Sequence, residues 1–77
     1  MSNQVILYST AGCPFCERYK ELFTQRNQTF EERDTTSDPR FLDELAARGI
    51  FNLPAVIVNG APIPGFRPTS VLALLNA

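Results

Sequence analysis

Cys13 and Cys16 are the whole cysteine complement of the chain, and the stretch "TAGCPFCERYK" sets them three residues apart with a proline between them. Three kinds of chemistry could use such a pair: a structural bridge, half of a metal site, or two thiols that pass electrons. A bridge from residue 13 to residue 16 closes a loop too short to constrain much of the unfolded chain. A tetrahedral metal needs two further ligands, and without a single histidine these would have to be carboxylates or come from a second chain. The lack of histidine also excludes Cys-His proteolysis and covalent haem attachment. What favours electron transfer is the place of the pair in the chain.

Cys13 follows closely on the apolar run Val5-Ile6-Leu7-Tyr8, which reads as a strand covered on both faces. A helical pattern begins at Pro14, with Phe15, Tyr19, Leu22 and Phe23 on one helical stripe that ends near Arg26-Asn27. Pro14 suits the first helical position, where its missing N–H would have had no partner. The free N–H groups of Phe15 and Cys16, with the positive end of the helix dipole, can then face the Cys13 sulfur. CxxC thiols held this way typically have pKa values of roughly 3.5 to 7.5, against about 8.5 for a free thiol. Cys16 falls one turn on, on the same face and deeper, at a separation a disulfide can span. Cys13 is therefore expected to attack a substrate disulfide, and Cys16 to resolve the mixed disulfide.

The remaining elements must hold that junction. Thr29 to Arg33 reads as a second, more polar strand at or near a sheet edge. Ser37-Asp38-Pro39 caps a helix whose Phe41, Leu42, Leu45 and Ala46 face inward and which Gly49 stops. Ala55 to Val58 is a buried strand, Asn59-Gly60 a two-residue hairpin, and Ala61 to Ile63 the returning strand. Pro64, Gly65 and Pro68 break the chain before a last helix from Thr69 to Asn76, buried through Val71, Leu72, Leu74 and Leu75. The first half is a βαβ unit, which implies two parallel strands and a right-handed crossover. The whole predicts one α/β domain over residues 1–77: a four-stranded mixed sheet flanked by three helices on its two faces (βαβαββα), a thioredoxin-like layout. Two features stay open at this level. X–Pro bonds are mostly trans, and nothing local to Leu53-Pro54 decides its state. Gly65-Phe66-Arg67-Pro68 is either a plain turn with Phe66 tucked into the core or part of the site.

Composition bounds the partners. Seven basic and eight acidic residues give a net charge of −1, and the one Lys and six Arg are scattered, so no dense basic face exists for nucleic acid. With 44% apolar residues the chain can build a compact core. The start, "MSNQVILYST", has no basic n-region, and its apolar run is too short for a signal or a membrane span. We therefore expect a cytoplasmic protein with no membrane partner, in a compartment where lasting structural disulfides are uncommon.

"YSTAGCPFCERYK" resembles the active site of the glutaredoxins, and the likeness extends over essentially the whole chain. Cys-Pro-aromatic-Cys is the family's form, with Phe15 where tyrosine is usual. Asn52-Leu53-Pro54-Ala55-Val56 stands in the place of its cis-proline loop. The resemblance implies a thiol–disulfide oxidoreductase with Cys13 and Cys16 as its catalytic thiols, and a cis Pro54 set against them. It implies that the Leu53 backbone pairs with the incoming substrate in β fashion, and that Phe15, Leu53, Pro54, Gly65 and Phe66 frame a substrate groove. No metal and no cofactor beyond the dithiol is expected, and the protein should act as a monomer.

The departures from the family pattern concern the reductant. Glutaredoxins that use glutathione usually carry a basic residue just before the motif, where this chain has Ala11-Gly12, and a Gly-Gly-acid sequence near the last helix, where this chain has "PGFRPTS". Lys20, Arg33 and Arg67 are the cations that could compensate from elsewhere. Leu-Pro followed by Gly-Phe-Arg-Pro is instead similar to the NrdH-redoxins, glutaredoxin-like proteins that donate electrons to ribonucleotide reductase and take them from thioredoxin reductase. Pro-Phe between the cysteines is unusual there, so the chain mixes two patterns. The expected partners are disulfide-containing proteins such as ribonucleotide reductase, with thioredoxin reductase or glutathione as reductant. The competing readings are an ordinary glutathione-dependent glutaredoxin, an iron–sulfur carrier in which two chains share a cluster through Cys13 and glutathione, and a binding module without turnover. Pro14, directly after Cys13, speaks against the cluster.

Overall fold

Alternation along two central strands decides which side chain reaches which face of the sheet. In a computed structural model describing residues 3–76, β1 (Val5–Ser9) runs parallel to β2 (Glu31–Asp34) and antiparallel to β3 (Ala55–Val58). β3 pairs antiparallel with β4 (Ala61–Pro64), giving the order β2-β1-β3-β4. Val5, Leu7, Val56 and Val58 meet Tyr19 and Phe23 of α1 (Pro14–Gln25) and Val71 of α3 (Pro68–Leu75) in one core. Tyr8, Ala55 and Ile57 meet Leu45 of α2 (Arg40–Ala47) and Ile50 in a second, with Ile6 packed against it. Burying a side chain of this size contributes about 1.5–3 kcal/mol, so both faces of β1 and β3 must be covered for the sheet to hold. The continuous apolar runs anticipated this, and the order of elements is the expected one.

The hairpin between β3 and β4 turns through Asn59 (φ 50°) and Gly60 (φ 87°), the paired left-handed conformations of a two-residue type I′ turn. Pro62 and Pro64 lie in β4, where an edge strand tolerates their missing N–H groups. Among the described residues, no helix is long and apolar enough to cross a membrane.

Four local expectations need correction. β2 starts at Glu31 and not at Thr29, because residues 28–30 are used in leaving α1: the Gln28 N–H bonds back to the Phe23 carbonyl, and Phe30 packs on the Phe23 ring at 5.3 Å. The strand then runs on to Asp34, which pairs with Ser9. In the cap of α2, Asp38 alone acts, accepting from the Arg40 N–H at 3.0 Å, while the Ser37 hydroxyl bonds Asp34. Leu42 and Ala46 do not face inward; both are exposed, because the eight-residue α2 rests on the sheet through Leu45, with Phe41 only partly buried. Phe15 is also not part of the buried α1 stripe, being 48% exposed.

Candidate active site

The junction between β1 and α1 is tied down from the neighbouring strand. Thr35, just past β2, bonds the Ser9 carbonyl through both its N–H (2.8 Å) and its hydroxyl (2.9 Å). The Thr36 hydroxyl accepts from the Ala11 N–H at 2.9 Å and shares a hydrogen bond with Thr10 at 3.0 Å. Gly12 then turns the chain in the left-handed region (φ 72°), which a side chain would disfavour. Cys13 arrives as the N-cap residue of α1 in extended conformation, with Pro14 at the first helical position.

At this cap the Cys13 sulfur takes the place of the usual oxygen. The Cys16 N–H donates to Cys13 Sγ at 3.2 Å, satisfying one of the helix's unpaired donors. The two cysteines are bridged, with Cα atoms 5.3 Å apart, within the usual range for a disulfide. Their exposure differs: Cys13 is partly accessible and Cys16 is fully buried. The hydrogen bond and the positive end of the α1 dipole are both directed at the Cys13 sulfur.

Two further segments meet the junction. Ala55 pairs with Tyr8, so Pro54 stands level with the end of β1 where the chain departs for Cys13. The Leu53–Pro54 bond is cis, as the resemblance implied. The Pro54 carbonyl accepts from the Gly65 N–H at 2.8 Å, which links this loop to the turn before α3. In that turn Phe66 packs on Tyr19 at 4.8 Å and against the core, and it stacks at 5.0 Å on Phe15, the residue between Pro14 and Cys16. Phe15 is thus in contact with Phe66, and Gly65 next to it is bonded to Pro54. The Leu53 side chain goes elsewhere, against the core under α2.

Sequence reasoning missed two residues here. Arg18 lies over the Phe15 ring with its guanidinium 5.6 Å from the centroid. Tyr19 is fully buried, and its hydroxyl donates to the Gly65 carbonyl (3.2 Å) and accepts from the Arg67 N–H (2.7 Å). A tyrosine in a core stripe where phenylalanine would fill the space was the available signal. Burial raises the pKa of Tyr19, which keeps its proton in place as a donor.

Of the three cations that could compensate, two are engaged. Lys20 pairs with Glu32 at 2.7 Å and Glu17 at 3.1 Å. The Glu32 bond is the main cause that raises the pKa of Lys20, and the reciprocal bond lowers that of Glu32. Arg33 is held by Glu31 and Glu44. Among the described residues the third, Arg67, forms no ion pair, and neither does Arg18.

Comparison with known proteins agrees with this geometry. The glutaredoxin family pattern matches residues 5–63. Glutaredoxin-C6 of Oryza sativa subsp. japonica is 42% identical over 79 residues, spanning 97% of this chain and 69% of the plant protein. Among solved structures, the thioredoxin-like protein BC3987 superposes with a TM-score of 0.87 at 26% identity, over 92% of this chain and 99% of that one. NrdH-redoxin from Escherichia coli, a glutaredoxin-like protein with a thioredoxin-like activity profile, gives a TM-score of 0.83 at 28% identity, over 92% and 93% of the two chains. With a thioredoxin-like fold, a bridged Cys-Pro-Phe-Cys pair at a helix start and a family pattern that covers most of its length, this chain belongs to the glutaredoxins, a family of thiol–disulfide oxidoreductases.

Proposed function

We propose that this protein, acting as a monomeric cytoplasmic domain over residues 1–77, reduces protein disulfides with Cys13 as nucleophile and Cys16 as resolving thiol. The observation that carries the roles is the Cys16 N–H on Cys13 Sγ, together with the burial of Cys16 and the accessibility of Cys13. In the reduced protein the Cys13 thiolate attacks one sulfur of the substrate disulfide, forming a mixed disulfide and releasing the other sulfur as a thiolate that takes up a proton. Cys16, losing its proton, then attacks Cys13 Sγ. The Cys13–Cys16 disulfide forms and the second substrate thiol leaves, so two electrons and two protons reach the substrate. The electrons reside in the dithiol, and the chemistry requires no metal or other cofactor. Phe15, Pro54, the Leu53 backbone and the Gly65-Phe66 turn frame the groove that receives the substrate.

The electrons come from thioredoxin reductase in this reading, and ribonucleotide reductase is the target whose disulfide fits the NrdH-like Leu-Pro and Gly-Phe-Arg-Pro segments. Two observations support it. Glutathione carries two carboxylates and an ammonium, yet Lys20 and Arg33, two of the cations that could receive it, are committed to glutamates of the fold. Losing two charged hydrogen bonds at roughly 1.5–3 kcal/mol each weakens binding a hundredfold or more. The rings of Phe15 and Phe66 instead offer an apolar surface beside the thiols for a docking protein. A coupled NADPH assay tests the choice, with each reductant in turn against one disulfide substrate. Thioredoxin reductase should support the faster turnover; efficient turnover with glutathione and glutathione reductase, and none with thioredoxin reductase, would make this an ordinary glutathione-dependent glutaredoxin.

A further inference from the structure

We propose that Tyr19 is a positioning residue whose hydroxyl pins the Gly65–Arg67 turn beside the thiols and so fixes one wall of the substrate groove. The inference rests on the reading of that turn as part of the groove. The hydroxyl is in contact with both ends of the turn at once: it donates to the Gly65 carbonyl and accepts from the Arg67 N–H. Phe66, held between them, lies against the Tyr19 ring on one side and stacks on Phe15 on the other. Phe15 sits between the two cysteines, and Gly65 is also bonded to the Pro54 carbonyl. Tyr19 itself is on α1, three residues after Cys16. A single buried side chain on the thiol-bearing helix therefore sets where the turn stands relative to both cysteines and the Pro54 loop.

The ring and the hydroxyl do separate work. The ring belongs to the core, stacked 5.7 Å from Phe23, and a phenylalanine would serve there equally well. A buried hydroxyl is costly unless hydrogen-bonded, and both of the bonds this one makes go to the backbone of the turn. Arg67 caps α3 without any side-chain bond of its own, so its N–H has Tyr19 as its anchor. The Gly65 backbone is left-handed (φ 78°), and the turn can therefore relax once the anchor is gone.

The test is Tyr19→Phe in the full chain, which keeps the ring and removes the hydroxyl. With dithiothreitol as electron source, KM for insulin, a protein disulfide that needs the groove, should rise about twofold to tenfold, the range of one typical hydrogen bond. Its kcat should stay unchanged, as should the single-turnover rate of the reduced protein with 5,5′-dithiobis(2-nitrobenzoate), which is too small to use the groove wall. Hydrogen exchange at the Arg67 amide, read by NMR, should speed up. Faster exchange at Arg67 with an unchanged KM would overturn the inference, because the hydroxyl would then be structural only. Equal losses with insulin and the small disulfide would overturn it as well, placing the effect on the thiols themselves. A wild-type protein inert toward both substrates would sink the parent reading together with this one, and that result is distinct from an active wild type matched by its variant.

Discussion

The two faces of the sheet are packed to different standards. On one, Val5, Leu7, Val56, Val58 and Ile63 are covered by α1 and α3 through Tyr19, Phe23 and Val71, and Leu22, Phe30, Phe66, Leu74 and Leu75 close the margins. On the other, α2 contributes one fully buried residue, Leu45, and leaves Leu42 and Phe51 largely exposed at 48% and 81%. The thiols belong to the first face, since Cys16 and Tyr19 are buried on the same helix. A site needs its reacting atoms held to within a fraction of an ångström, and that precision comes from rigid, well-packed supports. The β1–α1 junction itself is tied to Thr35 and Thr36, which follow β2.

The largest effects should come from the thiols and should be unequal. Cys13→Ser should bring reduction of every disulfide to background, because no attacking sulfur remains. Cys16→Ser should still attack but stall as a mixed disulfide with a protein substrate, a species visible as a covalent adduct by mass spectrometry. Adducts formed by the Cys13→Ser protein, and none by Cys16→Ser, would reverse the assignment and break the link between exposure and role.

Packing comes next and compares the faces directly. Phe→Ala in a core typically costs about 3–5 kcal/mol and Leu→Ala about 2–5 kcal/mol, the lower values occurring where the surroundings can collapse into the space. Phe23→Ala should fall near the top of its range, enclosed as Phe23 is by Tyr19 and Phe30. Leu45→Ala should fall near the bottom, since its neighbours Leu42, Ala46 and Phe51 border an open cleft and have room to settle. Urea unfolding measures both. A Leu45 variant as unstable as the Phe23 variant would show that the two faces are equally tight.

The same contrast explains what could be read from the sequence. The order of elements along the chain, both buried strands and the hairpin were legible because continuous apolar runs and Asn59-Gly60 allow few alternatives. The placement of Cys13 at a helix start followed from Pro14 and the stripe behind it. Leu42 and Ala46 were misplaced because helical spacing reports which residues share a face, not whether a neighbouring element is broad enough to cover them. Phe15 fell on the α1 stripe for the same reason, yet it is 48% exposed and its ring stacks on Phe66. The cis state of Leu53–Pro54 came from family likeness alone. The Tyr19 clamp joins residues 46 and 48 positions apart, a relation that no local pattern encodes.

The smallest effect concerns an ion pair on the α1 side of the sheet. Lys20 of α1 bonds Glu32 of β2, and Glu32 also accepts from the Ser9 hydroxyl at 2.7 Å, so the pair staples the thiol helix to the strand beside it. The side chains are 29% and 34% exposed, and a pair this accessible contributes about 0.5 kcal/mol after solvent screening. Its pH dependence has a definite sign. The pKa of Glu32 is lowered below its ordinary 4.5, chiefly by the Lys20 bond, so this stability is full above that value and is lost as pH falls through the lowered one. The pKa of Lys20 is raised above its ordinary 10.5, so the same stability is full below 10.5 and is lost as pH rises through the raised value. Lys20→Met should therefore destabilise the protein by about 0.5 kcal/mol at neutral pH, with the difference from wild type closing at acid pH once Glu32 is protonated. Urea midpoints at neutral and acid pH measure it. A difference that persists in acid would mean that the Lys20 ammonium stabilises the protein by something other than the Glu32 carboxylate, and the staple between helix and strand would then not be this ion pair.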